Sequence, residues 1–386
     1  MSVSRICYGR ALPSLPVDLR DLVRPPLRMA EPYDPGPSLT ELRARYGVEH
    51  ISKLNWNEDL FGLLPGVRDA IINEIGRAHF YPEQAYSDFR ELVAQRIGAR
   101  PEMIVPAHGI QALVLSMVSL FVSPGEKVVI PQPTYGLYRM AAQAAGAEIV
   151  RVPTTGYRLD LDAILDAARG AKLVFVCDPN NPTGDALSAH EWDAFIDALP
   201  AGCVAVVDEA YADYIETPQR PDRIADIEDG RPVVVLRTFS KLYGIAGLRL
   251  GYAIAHPSLI PSADAVQEPF NVNRLALAAG TACLANPNAV EERRREVVAA
   301  RDSFAAALAE IGIGSHPSSA NFVLTHPGGD DREWYEALLH RGYLVRRGSE
   351  YGLQGHLRIT IAPSDVMAEV ALTMASVGNE LGALHQ

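Results

Sequence analysis

Three apolar runs of the sequence end in residues whose side chains can do chemistry. The run at 172–177 (KLVFVC) leads into DPNNPTG, the run at 203–208 (CVAVVD) ends in an aspartate and leads into EAY, and the run at 232–237 (PVVVLR) leads into TFSK. Continuous apolar runs of this length are typical of buried parallel strands. Because ligands bind beyond the carboxyl ends of such strands, we expect the polar residues at these ends to share one site.

The polar residues at the three strand ends form the set that a pyridoxal cofactor needs. Lys241 offers an amine for a Schiff base. Asp208 offers a carboxylate that can keep a pyridine nitrogen protonated, so that the ring acts as an electron sink. Asn181 and Tyr211 can hydrogen-bond the 3-oxygen of the ring. The sequence therefore predicts a pyridoxal 5′-phosphate site at this edge of the sheet.

Each of these residues also has a simpler interpretation. A single lysine after a strand is usually a solvated surface residue, an aspartate often caps a helix, and NNPTG could be only a turn. Their combination at three successive strand ends favours the cofactor site, with the turn presenting Asn181. Arg358 adds to this interpretation, because a charge inside the apolar run LRITIA favours a buried anionic partner.

Strand-like runs that alternate with helical segments such as 161–168 and 190–199 predict the fold class. The pattern indicates an α/β fold whose large domain has a mostly parallel seven-stranded sheet sandwiched by helices. The seven predicted strands lie at 103–106, 127–131, 147–152, 172–177, 203–208, 232–237 and 248–255.

The character of the sequence changes towards both ends. Residues 1–50 are rich in proline and arginine and predict an extended N-terminal arm, which leaves 51–275 for the large cofactor-binding domain. After about residue 275, a charged helical segment (287–311) precedes the strand-like runs NFVLTH, YLVRR and LRITIA. We expect a smaller α+β domain over 276–386.

Composition and charge exclude several classes of protein. The net charge of −12 argues against a nucleic-acid or membrane-surface partner, since both attract basic proteins. The longest apolar run, 110–122, is too short to cross a bilayer, and the N-terminus does not have the pattern of a secretory signal. The four cysteines show neither a CxxC pair nor metal-ligand spacing, which predicts a reducing cytoplasm and no metal site.

A candidate anion-binding site lies earlier in the chain than the three strand ends, at residues 103–109. The segment MIVPAHG leads into a helix that we expect to begin at Ile110. Free N–H groups at a helix N-terminus bind anions, so Gly109, Ile110 and Gln111 are predicted to hold the cofactor phosphate. We expect His108 to cap this helix or to be structural rather than to act in catalysis.

The motifs together resemble those of a known family. PNNPTG (179–184), VVDEAY (206–211) and RTFSK followed by AGLRLGY (237–252) are similar to fold-type I aminotransferases, and within them to histidinol-phosphate aminotransferase and its relatives. Shorter matches run through nearly the whole chain in order: PYDPG (32–36), KLNWNEDLFG (53–62), Tyr81-Pro82, PTY (133–135), PFNVN (269–273) and SSANF (318–322). The resemblance implies transamination of histidinol phosphate with 2-oxoglutarate as acceptor by a homodimer.

The resemblance also implies a role for each matching residue. Lys241 would carry the cofactor and act as general base, Asp208 would pair with the pyridine nitrogen, and Tyr211 with Asn181 would hold the 3-oxygen. The remaining implied cofactor contacts are Tyr135 on the ring face and Thr238, Ser240 and Arg249 at the phosphate, with Tyr81 reaching in from a neighbouring subunit. The implied substrate contacts are Arg358 as a bidentate carboxylate clamp, Arg346 and Asn321 near the distal end, and Tyr33, Asn57 and Asn181 along the pocket. Neighbours on a strand point to opposite sides, so we expect Arg346 to face the site and Arg347 the solvent.

Two departures from the family bear on the substrate. Where relatives usually carry Gly-Ser-Asp-Glu, this chain has Gly-Ile-Gln-Ala at 109–112, and Trp56 with Asp59-Leu60 replaces a small residue and Asn-Pro. A second hypothesis is therefore an aromatic or broad-specificity aminotransferase, with Trp56 and Ile110 shaping the pocket. A third is another reaction class, such as a decarboxylase or lyase, since the cofactor stabilises any carbanion at Cα. A fourth is a non-enzymatic cofactor-binding regulator, which the acidic charge disfavours.

Overall fold

The computed structural model describes residues 18–28, 36–216 and 219–383, so that Tyr33 lies outside the described residues. The strands are β1 Ser52–Lys53, β2 Ile104–Ala107, β3 Lys127–Gln132, β4 Glu148–Pro153, β5 Leu173–Cys177, β6 Val204–Asp208, β7 Val233–Thr238, β8 Gly251–Ile254, β9 Gly314–His316, β10 Phe322–His326, β11 Tyr343–Leu344, β12 Arg346–Arg347 and β13 Leu357–Thr360. The helices are α1 Pro25–Arg28, α2 Leu39–Tyr46, α3 Val67–Ile75, α4 Ser87–Ile97, α5 Gly109–Phe121, α6 Leu137–Ala145, α7 Leu161–Ala168, α8 Ala189–Ala198, α9 Arg223–Glu228, α10 Ile260–Ala265, α11 Arg274–Leu284, α12 Pro287–Glu310, α13 Asp331–Leu339 and α14 Ser364–Glu380.

The central sheet has seven strands in the order β2-β8-β7-β6-β5-β3-β4. Pairing is parallel from β7 across to β4, whereas β8 runs antiparallel to both β7 and β2. The predicted mostly parallel seven-stranded sheet is therefore confirmed. Each predicted strand falls within a few residues of its observed bounds.

Both faces of this sheet are covered, as its continuous apolar strands require. All five residues of β5 are buried. Val174 and Val176 contribute to the core on one face, and Leu173, Phe175 and Cys177 to the core on the other. Alternation of side chains along a strand thus divides one apolar run between two cores.

A second, four-stranded antiparallel sheet, in the order β12-β13-β10-β9, forms the smaller α+β unit near the C-terminus. The run YLVRR, predicted as one strand, is divided between β11 and β12. β11 pairs in parallel with β1, and Leu42 of α2 packs with Leu339 and Leu344. Residues near 50 therefore contact the C-terminal unit, while α11 packs on α3 and α4 of the large domain. The boundaries at 50 and 275 remain a proposal.

The topology brings the predicted site residues to one edge. β5, β6 and β7 are parallel neighbours, so Cys177, Asp208 and Thr238 end adjacent strands at the same side of the sheet. α5 begins directly after the edge strand β2, at Gly109 rather than at Ile110 as expected. Among the described residues, no helix is long and apolar enough to cross a membrane.

Candidate active site

A cavity of about 1300 Å³ opens at the carboxyl ends of these strands. The small C-terminal unit closes its other side. Most of the residues that the sequence predicts for the site line this cavity: Asn57, Ile110, Gln111, Tyr135, Asn181, Asp208, Tyr211, Thr238, Ser240, Lys241, Arg249, Arg346 and Arg358. Residues more than 300 positions apart in the chain are thus brought together at one site.

Lys241 lies at the base of the cavity with its ammonium group held by backbone carbonyls. Its Nζ donates to Asn57 O at 2.8 Å and to Trp56 O at 3.1 Å. Burial, followed by the positive charge of Arg358, lowers the pKa of Lys241 to about 7. A neutral amine is therefore accessible near neutral pH, and such an amine can act as a nucleophile or a base.

Asp208 is a buried carboxylate, with 3% of its surface exposed. Its Oδ1 accepts a hydrogen bond from Ala210 N at 3.0 Å and its Oδ2 accepts one from the Tyr138 hydroxyl at 2.6 Å. Within the described part of the chain, no basic side chain forms an ion pair with it. Burial raises the pKa of Asp208 to about 6, so the site favours a cation that would compensate this carboxylate.

Amide and phenol groups form hydrogen bonds beside the lysine and with a buried arginine. Asn57 Nδ2 donates to the Tyr211 hydroxyl at 3.0 Å, and burial raises the pKa of Tyr211 well above its usual value, so it remains a phenol. Arg358 Nη1 donates to Asn181 Oδ1 at 2.5 Å and to the Tyr351 hydroxyl at 2.8 Å. Arg358 Nε has no hydrogen-bond partner among the described residues. Arg358 lines the cavity, so its guanidinium provides a positive charge for an anionic ligand there.

The phosphate side of the site is built on the N-terminus of α5. His108 occupies the N-cap position, but its side chain makes no hydrogen bond to the helix, so the expected cap is not formed. Arg249, in the left-handed conformation (φ 58°), places Nη1 3.4 Å from Ser240 Oγ. Thr238 Oγ1 accepts from Ser240 N at 3.0 Å. Backbone N–H groups, hydroxyls and a guanidinium therefore converge as a phosphate site requires.

The altered turn sequence supplies contacts of its own. Gln111 Nε2 donates to the Tyr135 hydroxyl at 3.1 Å, and Gln111 Oε1 accepts from Arg249 Nη2 at 3.4 Å. Gln111 thereby connects the residue predicted to stack on the cofactor ring with the residue predicted to bind its phosphate. Asp59, the other departure, is also structural, since Oδ1 accepts from Arg293 at 2.7 Å in a buried ion pair.

Gly109 leaves the space that the phosphate side needs. Its φ is +80°, and a Cβ at this position would lie 2.8 Å from Arg249 Nη2. We expect Gly109→Ala to displace the guanidinium and to weaken pyridoxal phosphate binding by about tenfold or more, which fluorescence titration of the cofactor-free protein measures.

The matched control for this prediction is Gly125→Ala. Gly125 has a similar φ of +85°, but nothing lies within 4 Å of its added Cβ. This variant bears the same backbone strain, so it should lose stability and keep the affinity of the wild type for the cofactor. Equal affinities for the two variants would contradict a phosphate site at Gly109.

Two predicted residues, Asn321 and Arg347, are placed differently from expectation. Asn321 does not line the cavity, because Nδ2 donates to Asn57 O at 3.1 Å and to Glu58 O at 3.3 Å. It supports the loop that holds Lys241 rather than the distal end of the substrate. Tyr81 is 78% exposed and lies outside the cavity of its own chain, so its predicted contact with a neighbouring subunit's site stays a proposal. Arg347 was expected to face solvent, but it lines the cavity together with Arg346.

Other residues that line the cavity or lie beneath it were missed by sequence reasoning. Glu350 pairs with Arg346 at 2.7 Å and with Arg347 at 3.5 Å, and the helical spacing rule could not indicate these pairs because both arginines lie on β12. Tyr351 holds Arg358. Tyr138, which reaches Asp208, is three residues after Tyr135, but no local pattern indicated its partner.

The residues of the site fit pyridoxal phosphate. Asp208 offers a buried carboxylate that has no ion-pair partner among the described residues to a protonated ring nitrogen, and Tyr211 with Asn181 offers hydrogen bonds for a ring oxygen. The start of α5 offers phosphate-binding groups, and its residues Ile110 and Gln111 line the same cavity as Lys241. The geometry therefore suits a cofactor that joins a phosphate, a basic ring nitrogen and an aldehyde.

Comparison with known proteins agrees with this geometry. The family described as aminotransferase class I and II matches residues 49–374. The histidinol-phosphate aminotransferase of Symbiobacterium thermophilum is 38% identical over 340 residues, covering 88% of this chain and 94% of that protein. The one from Anaeromyxobacter sp. (strain Fw109-5) is 37% identical over 365 residues, covering 94% and 100%. The crystal structure of the Sinorhizobium meliloti enzyme in complex with pyridoxal-5′-phosphate superposes with a TM-score of 0.86 at 29% identity, over 93% of this chain and 98% of that chain.

The chain therefore belongs to the class I and II aminotransferases. Within that family it is similar to the histidinol-phosphate aminotransferases over most of its length. The sequence-based prediction of a fold-type I, pyridoxal-phosphate-dependent aminotransferase of this kind is confirmed.

Proposed function

We propose that this chain transfers the amino group of histidinol phosphate to 2-oxoglutarate, with pyridoxal 5′-phosphate bonded to Lys241. The observation that carries the proposal is the buried set Lys241, Asp208 and Arg358 in one cavity, in a chain 38% identical to a histidinol-phosphate aminotransferase. When bound, the cofactor stabilises the negative charge that develops at the substrate carbon.

The protein's own residues bind and orient around this chemistry. Asp208 would hold the ring nitrogen in its protonated form, and Arg249 with the α5 N-terminus would hold the phosphate. Lys241, whose pKa is lowered to about 7, would move a proton between neighbouring atoms as a general base. Arg358 would bind an anionic group of the substrate, since it brings a guanidinium to the cavity wall.

The cavity wall supports an anionic substrate. Besides Lys241, Arg249 and Arg358, its basic residues are Arg45, Arg139, Arg151, Arg332, Arg346 and Arg347. Nine basic residues against four acidic ones therefore line the cavity, although the chain has a net charge of −12. A local positive field attracts phosphate esters and dicarboxylates, and histidinol phosphate and 2-oxoglutarate are of these kinds.

One observation favours a second donor class. Trp56 is 40% exposed, and Lys53 Nζ lies 3.5 Å from the centroid of its ring. Trp56 also belongs to the cavity wall. An aromatic ring fixed at that position could pack against the side chain of an aromatic amino acid substrate. The enzyme would then be an aromatic or broad-specificity aminotransferase.

The donors can be separated by a half-reaction on the purified enzyme without acceptor. Histidinol phosphate, glutamate and phenylalanine are added separately while the visible absorbance of the bound cofactor is followed. We expect histidinol phosphate to convert the cofactor fastest, and 2-oxoglutarate to restore the starting spectrum. If phenylalanine reacts as fast or faster, the broad-specificity alternative is correct and the histidinol-phosphate proposal fails.

We further infer that the enzyme is a homodimer whose sites are shared. Large apolar side chains cluster on the surface near Tyr81, which stacks on Phe270 with ring centroids 4.7 Å apart. Ile72, Ile75 and Phe80 are each more than half exposed. A second copy would cover this patch and bring Tyr81 towards the partner's cavity.

Sedimentation of the holoenzyme tests the proposed dimer. Cell fractionation tests the predicted cytoplasmic location, which is a separate proposal.

A further inference from the structure

Tyr138 is a fully buried tyrosine beneath the cavity that does not line it. It is the second residue of α6, and its hydroxyl donates to Asp208 Oδ2 at 2.6 Å. Burial, followed by the charge of Asp208, raises the pKa of Tyr138 well above its usual value. The phenol therefore keeps its proton and is a permanent donor to this carboxylate.

Packing fixes the direction of this donor. The ring of Tyr138 stacks on Phe175 of β5, with centroids 4.5 Å apart and an interplanar angle of 7°. Its other side meets Tyr135 edge-on, at 5.6 Å and 90°. Tyr138 thus contacts both the carboxylate predicted to bind the ring nitrogen and the aromatic residue predicted to stack on the ring.

The hydrogen bond has a definite electrostatic effect. Burial raises the pKa of Asp208, and the Tyr138 hydroxyl is the strongest of the groups that oppose this rise. Lys241 also lowers the pKa of Asp208, whereas Glu209 raises it. Cys177 lies in the same buried environment, and burial keeps it a thiol. Without the tyrosine hydroxyl, Asp208 would therefore bind a proton more tightly.

We propose that Tyr138 is a positioning residue for transamination, which acts by holding Asp208 ionised and oriented towards the ring nitrogen of pyridoxal phosphate. The inference rests on the role of Asp208 in the proposed function. A more basic Asp208 would draw the shared proton away from the ring. The ring would then carry less positive charge, and the nitrogen that joins it to Lys241 would protonate more readily.

The test is a pH titration of the visible spectrum of the Tyr138→Phe holoenzyme. Phenylalanine keeps the ring contacts with Phe175 and Tyr135 and removes only the hydroxyl. We expect the midpoint of the spectral transition to rise by about one pH unit. The dissociation constant of the cofactor should rise about tenfold. The value of kcat should fall about tenfold, with KM little changed. A midpoint within about 0.3 units of the wild type would overturn the inference.

Tyr214→Phe is the matched control. Tyr214 is also buried, and its hydroxyl has no hydrogen-bond partner among the described residues. Since it does not line the cavity, its substitution should leave the spectral midpoint unchanged.

Double substitution separates this inference from the proposed function. If Tyr138 acts through Asp208, Tyr138→Phe adds no further shift in an Asp208→Asn background. An equal shift in both backgrounds would show a different route and overturn the inference. If Asp208→Asn alone leaves the wild-type spectrum unchanged, the role of Asp208 in the proposed function fails instead.

Discussion

Lys241→Ala should reduce the rate of transamination by at least about 10⁴-fold, because the substitution removes both the attachment point of the cofactor and the general base. The structure places this amine at the base of the cavity, held by two backbone carbonyls and with a pKa lowered to about 7. Steady-state rates with histidinol phosphate and 2-oxoglutarate measure the loss. The phosphate side is intact in this variant, so the content of bound cofactor is measured separately.

Lys172→Ala provides the control for this substitution. Lys172 immediately precedes β5, at the opposite end of that strand from the site, and its backbone N–H pairs with Lys127 O. We expect wild-type activity from this variant. Retention of more than about a tenth of wild-type activity by Lys241→Ala would contradict the role of Lys241.

Arg358→Lys should lower kcat/KM for 2-oxoglutarate by about 100-fold, a loss of about 3 kcal/mol. Arg358 is 3% exposed, donates to Asn181, Tyr351 and the carbonyl of Asn55, and lines the cavity. A lysine would keep the charge and lose the planar pair of donors that binds a carboxylate. Most of the effect should be in KM, measured under steady-state conditions with the donor saturating.

Arg301→Lys is the corresponding control. Arg301 is a largely buried arginine of α12 that donates to Ala320 O at 3.3 Å, and it does not line the cavity. Its substitution should change kcat/KM less than threefold, by order of magnitude. Unchanged KM for 2-oxoglutarate in Arg358→Lys would exclude Arg358 as the anion-binding residue.

The strand ends could be predicted because their signal is local. An apolar run such as 172–177 indicates a buried strand, and the polar residue after it must lie at the sheet edge. Parallel pairing of β5, β6 and β7 then brings Asn181, Asp208 and Lys241 into one cavity, as expected. The cofactor followed from the residue types at these ends, whereas the reaction and the substrate were implied by the resemblance to the family.

Contacts between distant segments could not be predicted in this way. Asn321 belongs to a motif typical of the family, but its partner, the carbonyl of Asn57, is 264 positions away. The bond between Tyr138 and Asp208 spans 70 positions and depends on how α6 packs on the sheet. The periodicity of apolar residues predicts which side of a helix or strand is buried, but it does not predict which residues of other elements contact that side.

The central claim, that pyridoxal phosphate is bonded to Lys241, can be tested directly by borohydride reduction of the holoenzyme followed by mass spectrometry of its peptides. The chain has only four lysines, Lys53, Lys127, Lys172 and Lys241, so the modified residue is assigned without ambiguity. We predict that the reduced cofactor is recovered on Lys241 alone. Recovery on Lys53, which lies beside Trp56, or on no lysine at all would contradict the account.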